Sequence, residues 1–230
     1  MLVIMETQFK HIAALIGEPV RAGIMWALMD GKAMSATELA LTTDTSQQNL
    51  SMHLGKLLEA DLLLVEKLGR HKYYKFARKE IAYALEAMTM LIPQPISKLS
   101  MVKFNEPTIM HCRTCYDHLA GKIGVAITDS LIKQKIIRSN NGVFGLSNKG
   151  NKWFSEFGID IPALKYQRRS FLRPCLDWSE RRYHMAGSLP AAFLDKMFHL
   201  DWIRRTKHSR IIVITSKDQK AFNEKFEVIS

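Results

Sequence analysis

Several features that would assign a protein to a special class are missing from this sequence. It contains no uninterrupted apolar run of about 18 residues, so we expect no transmembrane helix and no membrane partner. Only three cysteines occur among 230 residues, too few for the disulfide framework of a small secreted domain. The apolar start, Met1 to Met5, is too short for a secretion signal and is followed by Glu6. The sequence therefore predicts a globular, cytoplasmic protein.

Acidic residues are also scarce, and their distribution divides the chain. The 33 Lys and Arg exceed the 22 Asp and Glu by 11. Residues 1–91 contain ten of each sign, whereas residues 92–230 contain 23 basic and 12 acidic residues, so the second part carries the whole excess. Such an excess indicates either a polyanionic partner, through added phosphate contacts, or a basic surface that is merely solvated.

Prolines mark the boundary between two predicted domains. The segment Ile92-Pro93-Gln94-Pro95 ends a helical stretch, because proline lacks a backbone donor and restricts the residue before it. We expect one domain over residues 1–91, a linker over 92–107 and a second domain over 108–230. The predicted fold class is mainly α with small β-ribbons, an α+β protein.

The first domain shows the element order of a winged helix-turn-helix. Apolar residues at helical spacing predict two helices before Gly31. The pattern Ser35-Ala36-Thr37-Glu38 is a capping box that starts a short third helix, and Ser46 caps a fourth helix. The apolar face of this fourth helix is formed by Leu50, Leu54, Leu57 and Leu58. Residues 62–67 and 71–76 predict a β-hairpin with a basic tip, which would be the wing.

The outer face of the fourth helix is polar, and its start is rich in amides. Gln and Asn can bond an adenine edge through two hydrogen bonds, and basic residues at a hairpin tip can reach phosphates or the minor groove. A plain, solvated surface helix is the alternative interpretation. The predicted DNA-contacting residues are Ser46, Gln47, Gln48, Asn49, Ser51, Met52, His53 and Lys56 on the helix, with Arg70, His71 and Lys72 on the hairpin.

This region resembles the ArsR/SmtB family of bacterial transcriptional regulators. The resemblance covers about the first 90 residues and rests on four motifs in order: Leu15-Ile16-Gly17-Glu18-Pro19-Val20-Arg21, Ser46-Gln47-Gln48-Asn49-Leu50-Ser51-Met52-His53-Leu54, Leu57-Leu58-Glu59-Ala60-Asp61-Leu62-Leu63 and Gly69-Arg70-His71-Lys72-Tyr73-Tyr74. It implies a homodimer that binds a two-fold symmetric operator, usually as a repressor, and that pairs through its first and last helices, here residues 9–16 and 78–91. The family's metal-sensing sites are not expected, because the third helix has no cysteine and the last helix has no histidine.

The second domain contains an internal repeat, with copies at about 111–160 and 171–226. Cys115-Tyr116-Asp117 aligns with Cys175-Leu176-Asp177, and His118-Leu119-Ala120-Gly121 aligns with His184-Met185-Ala186-Gly187. The second copy has six extra residues between its Asp and its His. Each copy indicates a helix, a strand or ribbon, and a second helix, so we predict two winged-helix-like repeats.

The repeated polar residues are the candidates for an effector or thiol site: Cys115, Asp117, His118, Cys175, Asp177 and His184. Thiolates, carboxylates and imidazoles can bind a soft metal such as Zn²⁺ or Cd²⁺, or activate a thiol. Cys112, with His111 beside it, adds a Cys-x-x-Cys pair. A structural role, a redox switch and an organic effector are the alternatives, and we expect no required cofactor.

Together these patterns favour a DNA-binding regulator, not an enzyme, whose operator binding is modulated through the second domain by an unknown effector. The alternative is a thiol-dependent enzyme or metal-binding protein that uses Cys115 or Cys175 with His and Asp. The enzyme has little support, because the sequence contains no phosphate-binding glycine loop, no Gly-x-Ser-x-Gly turn and no His-Glu-x-x-His helix. The expected partners are double-stranded DNA, a second copy of the chain and the effector.

Overall fold

The computed structural model divides the chain into two compact units, Met1–Met88 and Thr89–Ser230. It describes residues 2–92, 109–140, 142–207, 209–215 and 219–226. The expected linker over residues 92–107 lies outside these ranges except for its first residue, so its structure stays a prediction. Within the described residues, no helix is both long enough and apolar enough to cross a membrane.

The first unit is a winged helix-turn-helix. Its elements in chain order are α1 (Leu2–Ile16), α2 (Pro19–Ala27), β1 (Met34–Ser35), α3 (Ala36–Thr42), α4 (Gln47–Glu59), β2 (Leu63–Leu68), β3 (His71–Phe76) and α5 (Lys79–Thr89). The strands pair in the order β1-β3-β2, all antiparallel, and the wing hairpin has Leu68 opposite His71. Strand β1 is not predicted from the sequence, because two residues are too few to show alternation.

Helices of this unit begin at caps that lie beside them in the sequence. Ser35 accepts a bond from the backbone of Glu38, whose carboxylate accepts one from the Ser35 backbone at 2.7 Å, which confirms the predicted capping box. Ser46 caps α4 in the same manner, through the third residue of that helix. For α2 the cap is the Glu18 carboxylate, which accepts two backbone N–H bonds. Local side chains therefore set where these helices start.

Aliphatic side chains from α2, α3 and α4 form the core of the first unit. The fully buried members are Ile24, Met25, Leu28, Leu39, Leu50 and Leu57, with Leu54 nearly so. Burying each such side chain contributes about 1.5–3 kcal/mol. The predicted apolar face of α4 is thus confirmed at three of its leucines, and the opposite face of the helix is left to solvent.

The second unit contains two successive segments with the same order of elements. The first is β4 (Arg113–Cys115), β5 (His118–Ala120), α6 (Gly121–Lys133), β6 (Ile137–Asn140), β7 (Val143–Leu146), α7 (Asn148–Glu156) and the short α8 (Ile161–Lys165). The second is β8 (Arg173–Leu176), β9 (Tyr183–Ala186), α9 (Ser188–His199), β10 (Ile203–Arg205), β11 (Ile212–Ile214) and α10 (Gln219–Phe226). Each successive pair of strands is an antiparallel hairpin.

Each segment opens with a hairpin that the sequence analysis does not predict. The expected order begins at the apolar helix, whereas β4–β5 and β8–β9 precede α6 and α9. Strands of three or four residues are too short to show alternation, and Pro174 argues against a strand at that position. The winged-helix likeness of each repeat stays a prediction.

The two segments of the second unit share one hydrophobic core. Its aromatic centre joins both halves, with ring centroids of Phe154 and Phe193 5.6 Å apart and those of Phe157 and Trp202 5.4 Å apart. The opening hairpins also pack across, with β9 on α6 and β5 on α9. The backbone N–H of Thr114 bonds the carbonyl of Arg210. This crossed packing brings the two opening hairpins together.

Candidate functional site

The outward face of α4 carries most of the residues predicted to contact DNA. Ser46, Gln47, Gln48, Ser51, Met52 and Lys56 are all exposed. Among the described residues, the side-chain amide of Gln48 has no hydrogen bond to the rest of the protein. Asn49 differs, since it is half-buried and its side-chain N–H donates to Thr45 at 2.9 Å. The exposed amides and hydroxyls can form hydrogen bonds with an external partner.

His53 corrects the sequence-based expectation. Its side chain is buried, and its Nδ1 lies 3.1 Å from the carboxylate of Glu18. The same carboxylate caps α2, so the imidazole ties the middle of α4 to the start of that helix. His53 is predicted from the sequence to contact DNA, but its side chain faces inward, toward Glu18. His53 supports the orientation of α4 and does not present an edge to DNA.

The wing keeps its predicted basic tip. Gly69 and Arg70 form the turn between Leu68 and His71, and the backbone of Gly69 is left-handed, with φ of 60°. Arg70, His71 and Lys72 are exposed. A side chain is therefore free at the tip to reach a phosphate, as the sequence analysis expects.

The second unit brings four of the repeated residues into one cluster. Their possible ligand atoms, the sulfurs of Cys115 and Cys175 and the ring nitrogens of His118 and His184, all lie within 4.8 Å of one another. The Nε2 atoms of the two imidazoles are 3.0 Å apart. Both histidines and Cys115 are buried, and Cys175 is half-buried. We call these four residues the Cys/His cluster.

Strand register explains why the cluster forms. Cys115 pairs with His118 across the first hairpin, and Cys175 pairs with His184 across the second. Paired residues of a hairpin project to the same face, so each hairpin presents one sulfur and one imidazole. Five of the six extra residues of the second copy lie in its hairpin loop, the sixth, Tyr183, pairs with Leu176, and the pairing of Cys175 with His184 is kept.

The two repeated aspartates, which the sequence treats as equivalent, have different surroundings. Asp177 is fully buried, and its carboxylate accepts from both Arg113 and the backbone N–H of Gly121. The Nδ1 of His184 lies 3.3 Å from it. Burial raises the pKa of Asp177, but these hydrogen bonds and charges outweigh burial and hold the pKa well below its usual range.

Asp117 lies at the turn of the first hairpin and is 45% exposed. It pairs with the guanidinium of Arg169, and its carboxylate is 3.6 Å from Nδ1 of His118. Contacts with His118 and Arg169 hold its pKa well below the usual range. Neither aspartate belongs to the Cys/His cluster, yet each faces the outer nitrogen of one of its histidines.

The surroundings of Cys175 and His184 favour the charged forms of these two side chains. Contacts with the Cys115 thiol, and then with the two imidazoles, lower the pKa of the Cys175 thiol to about 2, against the opposing effect of burial. Burial lowers the pKa of His184, but the contacts with Asp177 and Cys175 raise it by more. The pKa of His184 is therefore above its ordinary value. A thiolate beside an imidazole can bind a cation or act as a nucleophile.

Cys112 and His111 lie outside the cluster. Cys112 is packed in the hydrophobic core, where burial raises the pKa of its thiol to about 12. The Cys-x-x-Cys pattern therefore does not form a chelating pair, because Cys112 lies in the hydrophobic core and Cys115 in the cluster.

Arg113 is the residue that the sequence analysis missed. It is 1% exposed and bonds both oxygens of Asp177 at 3.1 Å. Its guanidinium also lies over the ring of Trp178. The repeat alignment offered a signal, since Arg113 precedes Cys115 by the same interval by which Arg173 precedes Cys175. Arg173 is exposed, so the two copies use this position differently.

Comparison with known proteins gives two matches along the sequence. A family model described as a helix-turn-helix domain matches residues 16–66. The HTH-type transcriptional regulator YdfF of Bacillus subtilis (strain 168), itself uncharacterized, is 39% identical over 225 residues, which cover 97% of this chain and 99% of the relative. The likeness to YdfF therefore extends through both units.

Similar solved structures overlap only part of the chain. Reduced HlyU from Vibrio cholerae N16961 is 22% identical, with a TM-score of 0.37, and the match covers 40% of this chain and 97% of that protein. A homodimeric winged helix-turn-helix domain from Mycobacterium bovis, titled a possible ArsR-family regulator, is 18% identical with a TM-score of 0.36. That match covers 39% of this chain and 82% of the other.

Proposed function

This chain belongs to the family of HTH-type transcriptional regulators, and from that premise we propose that it binds a two-fold symmetric DNA operator as a homodimeric repressor. Membership confirms the class of regulator recognised from the sequence, a winged helix-turn-helix protein with a long C-terminal extension. Such regulators bind DNA. What we propose in addition is which residues contact DNA, that the protein is a homodimer and that it represses transcription.

The observation that carries the proposal is the exposed polar face of α4 beside an exposed basic wing. In a helix-turn-helix the second helix enters the major groove with its N-terminal residues against base edges. The exposed N-terminal amides Gln47 and Gln48 are suited to adenine, and Ser51 lies one turn further on. Arg70 and Lys72 supply phosphate contacts. Since His53 is buried against Glu18, it belongs to the support of the reading helix.

Apolar side chains of α1 support the dimer. Met5 is 59% exposed and Phe9 is 72% exposed, and Ile12 follows on the same helical face. A large apolar face in water favours association, and the resemblance to ArsR/SmtB proteins assigns pairing to the first and last helices. Two copies joined in this way present two α4 helices, as a two-fold symmetric operator requires.

The second unit is the proposed sensor. We place its effector at the Cys/His cluster and the aspartates beside it, where a soft metal ion or an oxidant would react with the thiolates. An effector changes operator binding only by the difference in its affinity for the two conformations of the protein. A thiol enzyme at the same cluster is the second candidate. Turnover of a generic thioester by the full chain would favour that enzyme.

The test is selection of bound duplexes from a random DNA library by the full chain at stated salt. We expect an enriched sequence with two-fold symmetry and half-sites about 10–11 base pairs apart, bound by two chains. Recovery of no enriched sequence, or one chain per duplex, would contradict the proposal.

The sensor is tested separately. Operator affinity is compared across Zn²⁺, Cd²⁺, peroxide and reductant for the wild type and a Cys115→Ser/Cys175→Ser variant. Equal affinities throughout would remove the cluster from sensing.

The wing is tested by Arg70→Ala, with Arg168→Ala in the second unit as a control of equal charge. If Arg70 contacts a phosphate, its loss weakens binding at all sequences and lowers the slope of log affinity against log salt by about one. The control should leave the slope unchanged. A changed sequence preference at constant slope would mean that Arg70 reads a groove.

A further inference from the structure

We propose that the Cys/His cluster is a tetrahedral Zn²⁺ site whose two ligand pairs come from the two halves of the second unit. Cys115 and His118 form one pair, and Cys175 and His184 form the other. The inference rests on the proposed function in that it names the ion for the proposed effector site, whereas Zn²⁺ uptake is measured without DNA, so each can fail alone. The site also differs from the sites expected in the third and last helices of ArsR/SmtB proteins, which this chain does not have.

The geometry of the cluster suits one ion with four ligands. Zinc bonds nitrogen at about 2.0–2.1 Å and sulfur at about 2.3 Å, so tetrahedral ligand atoms lie about 3.3–3.8 Å from one another. The four candidate atoms already lie within 4.8 Å, and the two Nε2 atoms are 3.0 Å apart. Small side-chain rotations suffice to place all four atoms around one centre. Two sulfurs and two nitrogens in a tetrahedron are a donor set typical of single zinc ions in proteins.

The facing imidazoles supply an independent argument for a cation between them. Each Nδ1 faces a carboxylate, Asp117 for His118 and Asp177 for His184. A metal ion bound at Nε2 leaves the ring proton on Nδ1, and there the nearby carboxylate can accept it. The two Nε2 atoms are 3.0 Å apart, close enough for one ion to take a lone pair from each. A bound cation satisfies both lone pairs at once.

The aspartates therefore act as positioning residues for the two histidines. A carboxylate on the outer nitrogen of a metal-bound histidine fixes the ring orientation and raises the basicity of the ligating nitrogen. Asp177 is itself held by Arg113 and by the N-terminal N–H of α6, so the His184 ring is held firmly. Asp117 is anchored more loosely, through Arg169 at the surface.

Such an ion would cross-link the two segments of the second unit. Backbone bonds do not join β5 to β9, because each of these strands pairs only within its own hairpin among the described residues. Four metal bonds would join the two hairpins directly. The half-exposed Cys175 marks the side from which the ion enters.

The experiment uses the full chain, reduced and stripped of metal, then titrated with Zn²⁺ against a colorimetric chelator and with Co²⁺ by absorption. We expect one ion per chain and a Co²⁺ spectrum with a thiolate charge-transfer band and the intense d–d bands of a four-coordinate ion. Cys115→Ser/Cys175→Ser should lower Zn²⁺ affinity at least about 100-fold, since outer partners alone account for 10–100-fold. Cys112→Ala is the matched control and should keep one ion.

The outcomes separate the proposal from simpler roles. Asp117→Asn should weaken Zn²⁺ about 10-fold, whereas Asp129→Asn, another ion-paired surface aspartate, should not. If Asp117→Asn leaves the Zn²⁺ affinity unchanged, Asp117 does not position His118 for metal binding. If the double cysteine variant does not fold, the wild-type Co²⁺ spectrum decides. No uptake by the reduced wild type, or a spectrum without the thiolate band, overturns the zinc site.

Discussion

Helices α3 and α4 of the first unit follow serine caps that adjoin them in sequence, whereas α6 and α9 of the second start at or directly after a glycine and use distant partners. Ser46 caps α4 within three residues. The first N–H of α6, from Gly121, instead donates to Asp177 of the other segment at 2.7 Å. The N–H of Leu189 in α9 donates to the carbonyl of Phe171. The starts of α3 and α4 are therefore set by neighbouring residues and those of α6 and α9 by distant ones, although α7 of the second unit also has a local cap, Ser147.

The difference extends to the polar residues that carry function. On α4 they point to water, where a partner can reach them. In the second unit the two histidines of the Cys/His cluster, Arg113 and Asp177 are buried, and Arg113 bonds Asp177. Removing one partner of a buried charge pair leaves the other charge buried and unpaired. We therefore expect substitutions on the outer face of α4 to change the free energy of unfolding little and independently of one another. Substitutions around Asp177 should change it strongly and in a coupled manner.

The largest expected effect is that of Asp177→Ala. It leaves the Arg113 guanidinium buried without its carboxylate, which costs about 3–5 kcal/mol. The equivalent change Asp117→Ala removes an ion pair that is nearly half exposed, and should cost about 0–1 kcal/mol. Urea unfolding followed by tryptophan fluorescence measures both, since three of the four tryptophans lie in this unit. Equal losses would show that the two copies do not differ as described.

Glycines sharpen the comparison at a smaller scale. Gly187 has φ of 117°, and an added Cβ would lie 2.6 Å from the carbonyl oxygen of Ser170. Gly187→Ala should therefore destabilise the second unit by about 1–3 kcal/mol. Gly55 in α4 has open space around it, so Gly55→Ala should stabilise the first unit by about 0.5–1 kcal/mol. Thermal unfolding checks both variants: the midpoint should fall for Gly187→Ala and rise for Gly55→Ala. Shifts in the same direction would contradict the contrast.

A modest destabilisation is expected from the loss of a local cap. Ser46→Ala removes the acceptor for the first turn of α4 and should cost about 1 kcal/mol. Hydrogen exchange of the α4 amides should speed up while exchange in α6 stays unchanged. Ser51→Ala is a control on the same helix, because its hydroxyl only bonds the preceding turn. Unchanged exchange in α4 would show that another contact sets its start.

Prediction from the sequence succeeded where partners are close along the chain. The capping box at Ser35, the leucine face of α4 and the wing turn at Gly69 all follow from spacings of a few residues. The alignment of Cys115 with Cys175 and of His118 with His184 also singled out the four side chains that the structure brings together. Periodicity alone did not reveal the short opening hairpins.

Long-range partners could not be predicted, because each depends on tertiary packing. The burial of His53 depends on Glu18, and the contrast between the aspartates depends on Arg113. Nothing in the repeat alignment distinguishes Asp117 from Asp177, since both follow a cysteine by two residues. Only the crossed packing of the two segments buries one aspartate and leaves the other near the surface.

The most direct test of the central claim, that the outer face of α4 reads DNA, is the ratio of specific to random-sequence affinity for Gln48→Ala. Gln167→Ala removes an exposed amide from the second unit and is the matched control. If Gln48 bonds a base edge, its loss should cost about 1–3 kcal/mol on the selected operator and nothing on random duplexes. The control should keep the wild-type ratio. Equal losses for Gln48→Ala on both kinds of DNA would contradict base reading by this face.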